Sequence, residues 1–140
     1  MKITLDRINN EYLFEAKGKT GRPVYVDNTS QEGANGTSPM ELLLMGVGGC
    51  SAIDIISILK KQRQEIKGYH IEVEGQRKKV KDANIFESIN VNIYLEGAID
   101  PEKAKRAAQL SFDKYCSVSL TLEPTVSITF EINLNGEKVV

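Results

Sequence analysis

The chain has 140 residues, with 18 basic and 19 acidic side chains and a net charge of −1. That length suits one domain, residues 1–140, able to bury a core without metal or disulfide staples. No run of Lys and Arg is dense enough to form a face that tracks nucleic-acid phosphates, so no nucleic-acid partner is expected. Residues 1–7 lack the basic start, apolar stretch and small-residue cleavage site of a secretory signal, so the expected location is the cytoplasm.

In chain order, short alternating stretches at Ile3-Thr4-Leu5, Tyr12-Leu13-Phe14 and Val24-Tyr25-Val26 are separated by Asn9-Asn10 and Gly18-Lys19-Thr20-Gly21. They predict three antiparallel strands in a meander. A loop rich in Ser, Asn and Gly covers residues 28–37. Ser38-Pro39-Met40-Glu41 then combines a cap residue, a proline at the first helical position and a glutamate three residues after the serine. That capping box starts a helix expected to run to about Lys67, with Gly68 as terminator and Lys60, Lys61 and Arg63 in its later turns.

The first half of this helix is apolar on nearly every side, so it must be enclosed by sheet, by other helices or by a second subunit. Residues 42–59 have the length of a membrane segment. Gly46, Gly48, Gly49, Ser51, Asp54 and Ser57 within that stretch, and the lack of interfacial anchors at both ends, point instead to a buried helix of a water-soluble fold. Glycines at 46, 48 and 49 predict that another backbone packs very close, with a crowded site around Cys50.

Residues 69–77 and 85–96 read as two long strands around a polar turn at 79–84, the second alternating through Ile89, Val91, Ile93 and Leu95. Asp100-Pro101-Glu102 repeats the cap-plus-proline signal, and Ala104, Ala107, Ala108 and Phe112 make a helical stripe up to Tyr115. Cys116 falls where that helix ends, with one further turn expected over Ser117 to Thr121. Val126, Ile128, Phe130 and Ile132 alternate as a last strand, and Asn135-Gly136 marks a closing turn. The order of strands, long helix, two strands, helix and strand is α+β and excludes a doubly wound sheet.

Two cysteines in a reducing compartment are either inert core residues or redox-active thiols. Asp54 lies one helical turn beyond Cys50 on the same face, placed to orient or deprotonate that thiol, or to serve as a polar partner in a subunit interface. Cys116 stands beside the start of a short helix, whose amides favour a thiolate. His70, the sole histidine, reads as an ordinary strand position; with no second histidine and no CxxC, no metal site is expected. The glycines at 33 and 36 lack the ending of a phosphate loop, and Arg77-Lys78-Lys79 with Lys81 reads as a solvated turn.

The segments Gly36-Thr37-Ser38-Pro39-Met40-Glu41-Leu42-Leu43-Leu44-Met45-Gly46-Val47-Gly48-Gly49-Cys50 and Tyr115-Cys116-Ser117-Val118-Ser119 resemble the OsmC-like family of osmotically inducible and organic hydroperoxide resistance proteins. The first resembles the family's Gly-Thr-Asn-Pro-Glu followed by an apolar turn and a cysteine, the second its Cys-Pro-Val-Ser. The element order matches as well. The resemblance implies antiparallel sheets around a long buried central helix in an intertwined homodimer. It also implies that Cys50 attacks the hydroperoxide, that Cys116 resolves the sulfenic acid to a disulfide, and that an external dithiol restores both with no other cofactor.

This chain departs from the family pattern at three places. The family's supporting glutamate directly follows the proline, where this chain has Met40, with Glu41 one position later and about 100° around the helix. The supporting loop arginine would fall near Ser30, and the upstream arginines are Arg22 and Arg7. Ser117 stands in place of the proline after the second cysteine. The candidate site is therefore Cys50, Cys116, Asp54, Glu41 and Arg22. Two functions are expected of it: a thiol peroxidase reducing organic hydroperoxides or hydrogen peroxide, or a non-catalytic dimer that holds a small apolar ligand or senses oxidants slowly.

Overall fold

A computed structural model describes residues 1–140, which divide into two compact units, Met1–Leu43 and Leu44–Val140. In the first unit, β1 (Thr4–Arg7), β2 (Phe14–Lys17) and β3 (Val24–Val26) form an antiparallel meander in that order. The loop after β3 folds back on the strand, with Asp27 N donating to Thr37 O and Thr37 N to Tyr25 O. Gly36 is required at that return, since a Cβ there would lie 2.7 Å from the Tyr25 carbonyl oxygen. Ser38 and Glu41 cap each other reciprocally as expected: Glu41 N donates to Ser38 Oγ, and Ser38 N and Oγ donate to the Glu41 carboxylate.

Helix α1 (Pro39–Lys61) starts at that cap and continues into the second unit. It stops six residues before the expected end. Arg63 adopts a left-handed φ of 59° and Gln64 N reaches back to Leu59 O, a five-residue closure that terminates the helix before any glycine is needed. Glu65 then opens the next strand, and Gly68 sits inside that strand beside an irregularity in its pairing.

In the second unit, β4 (Glu65–Val80) and β5 (Ala83–Ala98) form a long antiparallel hairpin turning at Lys81-Asp82, more extended at both ends than the alternation suggested. The sheet order is β4-β5-β6-β7, with β6 at Ser127–Leu134 and β7 at Glu137–Lys138. The expectation of antiparallel sheets needs one correction, because β5 and β6 pair in parallel. The helical segment between them carries the chain back to the end of the sheet where β5 began, which is the geometry a parallel neighbour requires. Asn135-Gly136 closes the β6–β7 hairpin with both residues at positive φ.

The sheet has two unlike faces. On one, Ile71, Val73, Val91, Ile93, Phe130 and Ile132 share cross-strand positions; on the other stand His70, Glu72, Asn90, Asn92, Tyr94, Thr129 and Glu131. Helix α1 packs on the apolar face at β4: a Cβ on Gly48 would lie 3.0 Å from Val73 Cγ2, and Val47, Ser51, Ile55 and Leu59 form the fully buried stripe. Gly48 and Gly46 thus face side chains rather than another backbone, and Gly49 faces open space. Helix α2 (Pro101–Leu110), capped by Asp100 as expected, buries Ala104, Ala107 and Ala108, and Phe112 stacks on Phe130 with centroids 4.9 Å apart.

By length and composition alone α1 could cross a membrane. One side of it is nonetheless committed to the sheet, while Met45 and Ile53 on other sides are 56% and 68% exposed. A helix apolar all round therefore has only one stripe covered within the chain.

Candidate functional site

Cys50 and Asp54 project from α1 one turn apart, and Cys116 reaches them from the chain that follows α2. The two sulfurs and an Asp54 carboxylate oxygen all lie within 4.8 Å of one another. Both thiols are free; Cys50 is half-buried and Cys116 fully buried. Forming a disulfide between them requires the sulfurs to close to the S–S length of about 2 Å.

A π-helical turn, Ser111–Tyr115, delivers Cys116 to the cluster. Helix α2 ends at Leu110, and Cys116 N then bonds Ser111 O at 2.7 Å, a span of five residues where an α-helix would use four. The additional residue buries Ser111 and Phe112. Ser111 Oγ donates to Asp54 Oδ2 at 2.9 Å, which fixes the carboxylate beside the sulfurs. Cys116 leaves the helical region at φ −73° and ψ 97° and caps α3 (Ser117–Leu122), its sulfur accepting from Ser119 Oγ at 3.0 Å and from Ser119 N at 3.5 Å.

These contacts act against each other on the Cys116 thiol. Burial pushes its pKa up, the two Ser119 donors pull it down, and the neighbouring Cys50 thiol pushes it up again; the net direction is upward. Cys116 is thus held as a neutral thiol.

Of the remaining candidates, Glu41 is committed to the helix cap, where hydrogen bonds from Ser38 hold its carboxyl below the usual range. Arg7 donates to the carbonyls of Asn10 and Glu11 in its own turn, and Arg22 follows the Gly18–Gly21 turn in the first unit. His70 lies exposed on the polar sheet face beside Glu72 at 3.3 Å.

An open pocket of about 500 Å³ adjoins the cluster through Asp54 and is further lined by Ser57, Ile58, Lys61, Leu110 and Tyr115. Asp54, Ser57, Ile58 and Lys61 fall on one face of α1 by their three- and four-residue spacing.

The sequence model of the OsmC-like protein family matches residues 31–131, which include both cysteines and Asp54. The chain belongs to the OsmC-like family. It is 38% identical over 117 residues, 83% of this chain and 85% of the relative, to protein YhfA of Escherichia coli strain K12. Among solved structures it is similar to the OsmC-like protein from Mycoplasma pneumoniae, with a TM-score of 0.81 and 18% identity over 95% of each chain. It also resembles the organic hydroperoxide resistance protein OhrB of Bacillus subtilis, with a TM-score of 0.64 and 20% identity over 94% of this chain and 96% of that one. The fold is therefore the OsmC-like α+β arrangement.

Two members of the site went unread in the sequence. Ser119 stood inside the second motif without a role, and Ser111 carried no signal, because the π-turn that aims it at Asp54 has no residue signature.

Proposed function

We propose that this OsmC-like protein is a cytoplasmic thiol peroxidase acting on organic hydroperoxides or hydrogen peroxide, with the whole chain working as one domain and an external dithiol as reductant. The observation that carries this reading is the approach of two free sulfurs and one carboxylate to within 4.8 Å, contributed by segments far apart in sequence. Cys50, the less buried sulfur, attacks the distal oxygen of the hydroperoxide; the O–O bond breaks, the alcohol leaves and Cys50 becomes a sulfenic acid. The Asp54 carboxylate takes the thiol proton and returns it to the departing alkoxide. Cys116 then condenses with the sulfenic acid, releasing water and forming the disulfide.

Stoichiometric peroxide should convert the reduced protein to an intrachain Cys50–Cys116 disulfide, and Cys116→Ser should trap Cys50 as a sulfenic acid detectable by dimedone labelling and mass spectrometry. Recovering Cys50 unmodified while peroxide persists would refute the peroxidase reading. Oxidation that proceeds in one slow turnover without steady-state consumption would favour the alternative, a thiol redox sensor.

The working unit in this proposal is a homodimer. Met45 and Ile53 expose apolar surface on α1, and Gly49 beside them faces open space, so a second copy can approach that side closely. Sedimentation at low micromolar concentration should show a dimer, and Ile53→Asp should shift it toward monomer. A wild-type monomer under those conditions would rule the dimer out.

A further inference from the structure

We infer that Cys50, Asp54 and Cys116 form a binding site for a thiophilic divalent cation, Zn²⁺ being the best match, in the reduced protein. Tetrahedral Zn²⁺ binds thiolate sulfur at about 2.3 Å, which sets its sulfurs about 3.8 Å apart, and carboxylate oxygen at about 2.0–2.2 Å. Two sulfurs and one oxygen already within 4.8 Å of one another need only small adjustments to reach that geometry. Spacing along the chain conceals the site, because its ligands come from α1 and from the end of a π-turn.

The surroundings supply what a metal site requires beyond its ligands. Ser111 Oγ donates to one Asp54 oxygen at 2.9 Å, orienting the carboxylate and leaving the other oxygen available. Ser119 supplies two donors to the Cys116 sulfur, supporting it as a thiolate once its proton is displaced. Lys17–Glu15, His70–Glu72 and Lys138–Glu131 are the ion pairs of the chain, so no side-chain cation within ion-pair distance occupies Asp54. Asp54 also stands in the wall of the adjoining open pocket, which brings solvent to the carboxylate side of the cluster.

Binding replaces two thiol protons by the cation. Zn²⁺, two thiols and one carboxylate give a neutral bis-thiolate zinc unit plus the bound carboxylate, with two protons released. The bound metal ties up both sulfurs, so occupancy opposes peroxide chemistry. Conversely, a hydroperoxide that oxidises the thiolates to the disulfide, taking up two protons and leaving alcohol and water, frees the cation. The inference rests on the same thiol pair as the peroxidase proposal, and its test contains no peroxide in the binding step.

The test is anaerobic titration of the reduced full-length protein with Co²⁺, read by thiolate-to-cobalt charge transfer in the near ultraviolet, followed by displacement with Zn²⁺. One Co²⁺ per chain with a two-thiolate band is expected. Cys50→Ser and Cys116→Ser should each lose about half of the band, Asp54→Asn should weaken binding at least about tenfold, and Ser111→Ala about tenfold. Disulfide-oxidised wild-type protein should show no band, a comparison that does not depend on any variant folding. Absence of a band in the reduced wild type, or a band of equal strength and affinity in Asp54→Asn, would overturn the site and leave the peroxidase proposal standing. A cobalt band in the reduced wild type, together with inertness of separate metal-free samples toward peroxide, would do the reverse.

Discussion

Replacing Asp54 by Asn is expected to slow sulfenic acid formation at Cys50 by about 10²-fold, with the fold retained. The carboxylate sits within 4.8 Å of both sulfurs and is held there by Ser111 Oγ. Asparagine keeps the size and can still pair with that hydroxyl, but it cannot accept the thiol proton or return it to the alkoxide. Ser111→Ala should give a smaller loss, about tenfold, since it releases the orientation of the carboxylate without removing it. Stopped-flow peroxide kinetics on the Cys116→Ser background, with chelator present throughout, isolate this step from both metal binding and disulfide formation. If Asp54→Asn reacts at the parent rate, the carboxylate has no part in the proton transfer and its negative charge is merely tolerated.

The elements legible in the sequence were those whose signals are local. The alternation of Ile89, Val91, Ile93 and Leu95 marks β5 because each of those side chains goes to the same covered face, and all four are buried. Ser38 and Glu41, Asp100 with Pro101, and Asn135-Gly136 each encode their cap or turn in a few adjacent residues, and each forms it. The sequence points to Gly68 as the terminator of α1, whereas a left-handed Arg63 closes the helix earlier, the five-residue hydrogen bond of Gln64 compensating the strain. The parallel pairing of β5 and β6 is set by where the intervening helices return the chain, which no pattern within either strand records.

The site follows the same division. Cys50 and Asp54 were legible as a pair because both lie on one helix, four residues apart. The approach of Cys116 was legible only through the resemblance of two motifs. Its partners Ser111 and Ser119 depend on the π-turn, a one-residue difference in helical register with no composition of its own. The departures from the family pattern acquire a partial physical account here. Glu41 completes a helix cap, and the carboxylate found beside the thiols is Asp54. The cation nearest along that face of α1 is Lys61, seven residues and about 10 Å beyond Asp54, in the wall of the same pocket. In the proposed peroxidase, Lys61 would face the far end of a bound substrate rather than the attacking sulfur.

In the Cys50→Ser variant, alkylation of Cys116 should be slow at neutral pH and keep rising past the ordinary thiol value of about 8.5. Each pH unit below the folded pKa costs about a factor of ten in thiolate, so the rate at pH 7 should be on the order of 100-fold below that at pH 9. The variant removes the upward push of the Cys50 thiol but leaves burial, the larger cause, in place; the Ser119 donors continue to oppose it. The sign for stability follows from the same shift. Folding favours the neutral thiol, so its contribution is fully present below the unfolded thiol's pKa and is lost as pH rises through the higher folded value. The reduced protein should therefore lose resistance to denaturant above about pH 8.5, and adding Ser119→Ala should move the alkylation profile further upward by removing both donors. Urea-unfolded protein provides the reference, since its alkylation rate should level off at the ordinary thiol value. A folded-state profile that levels off below this reference would mean that Cys116 is held as a thiolate, and the assignment of Cys50 as attacker and Cys116 as resolver would have to be exchanged.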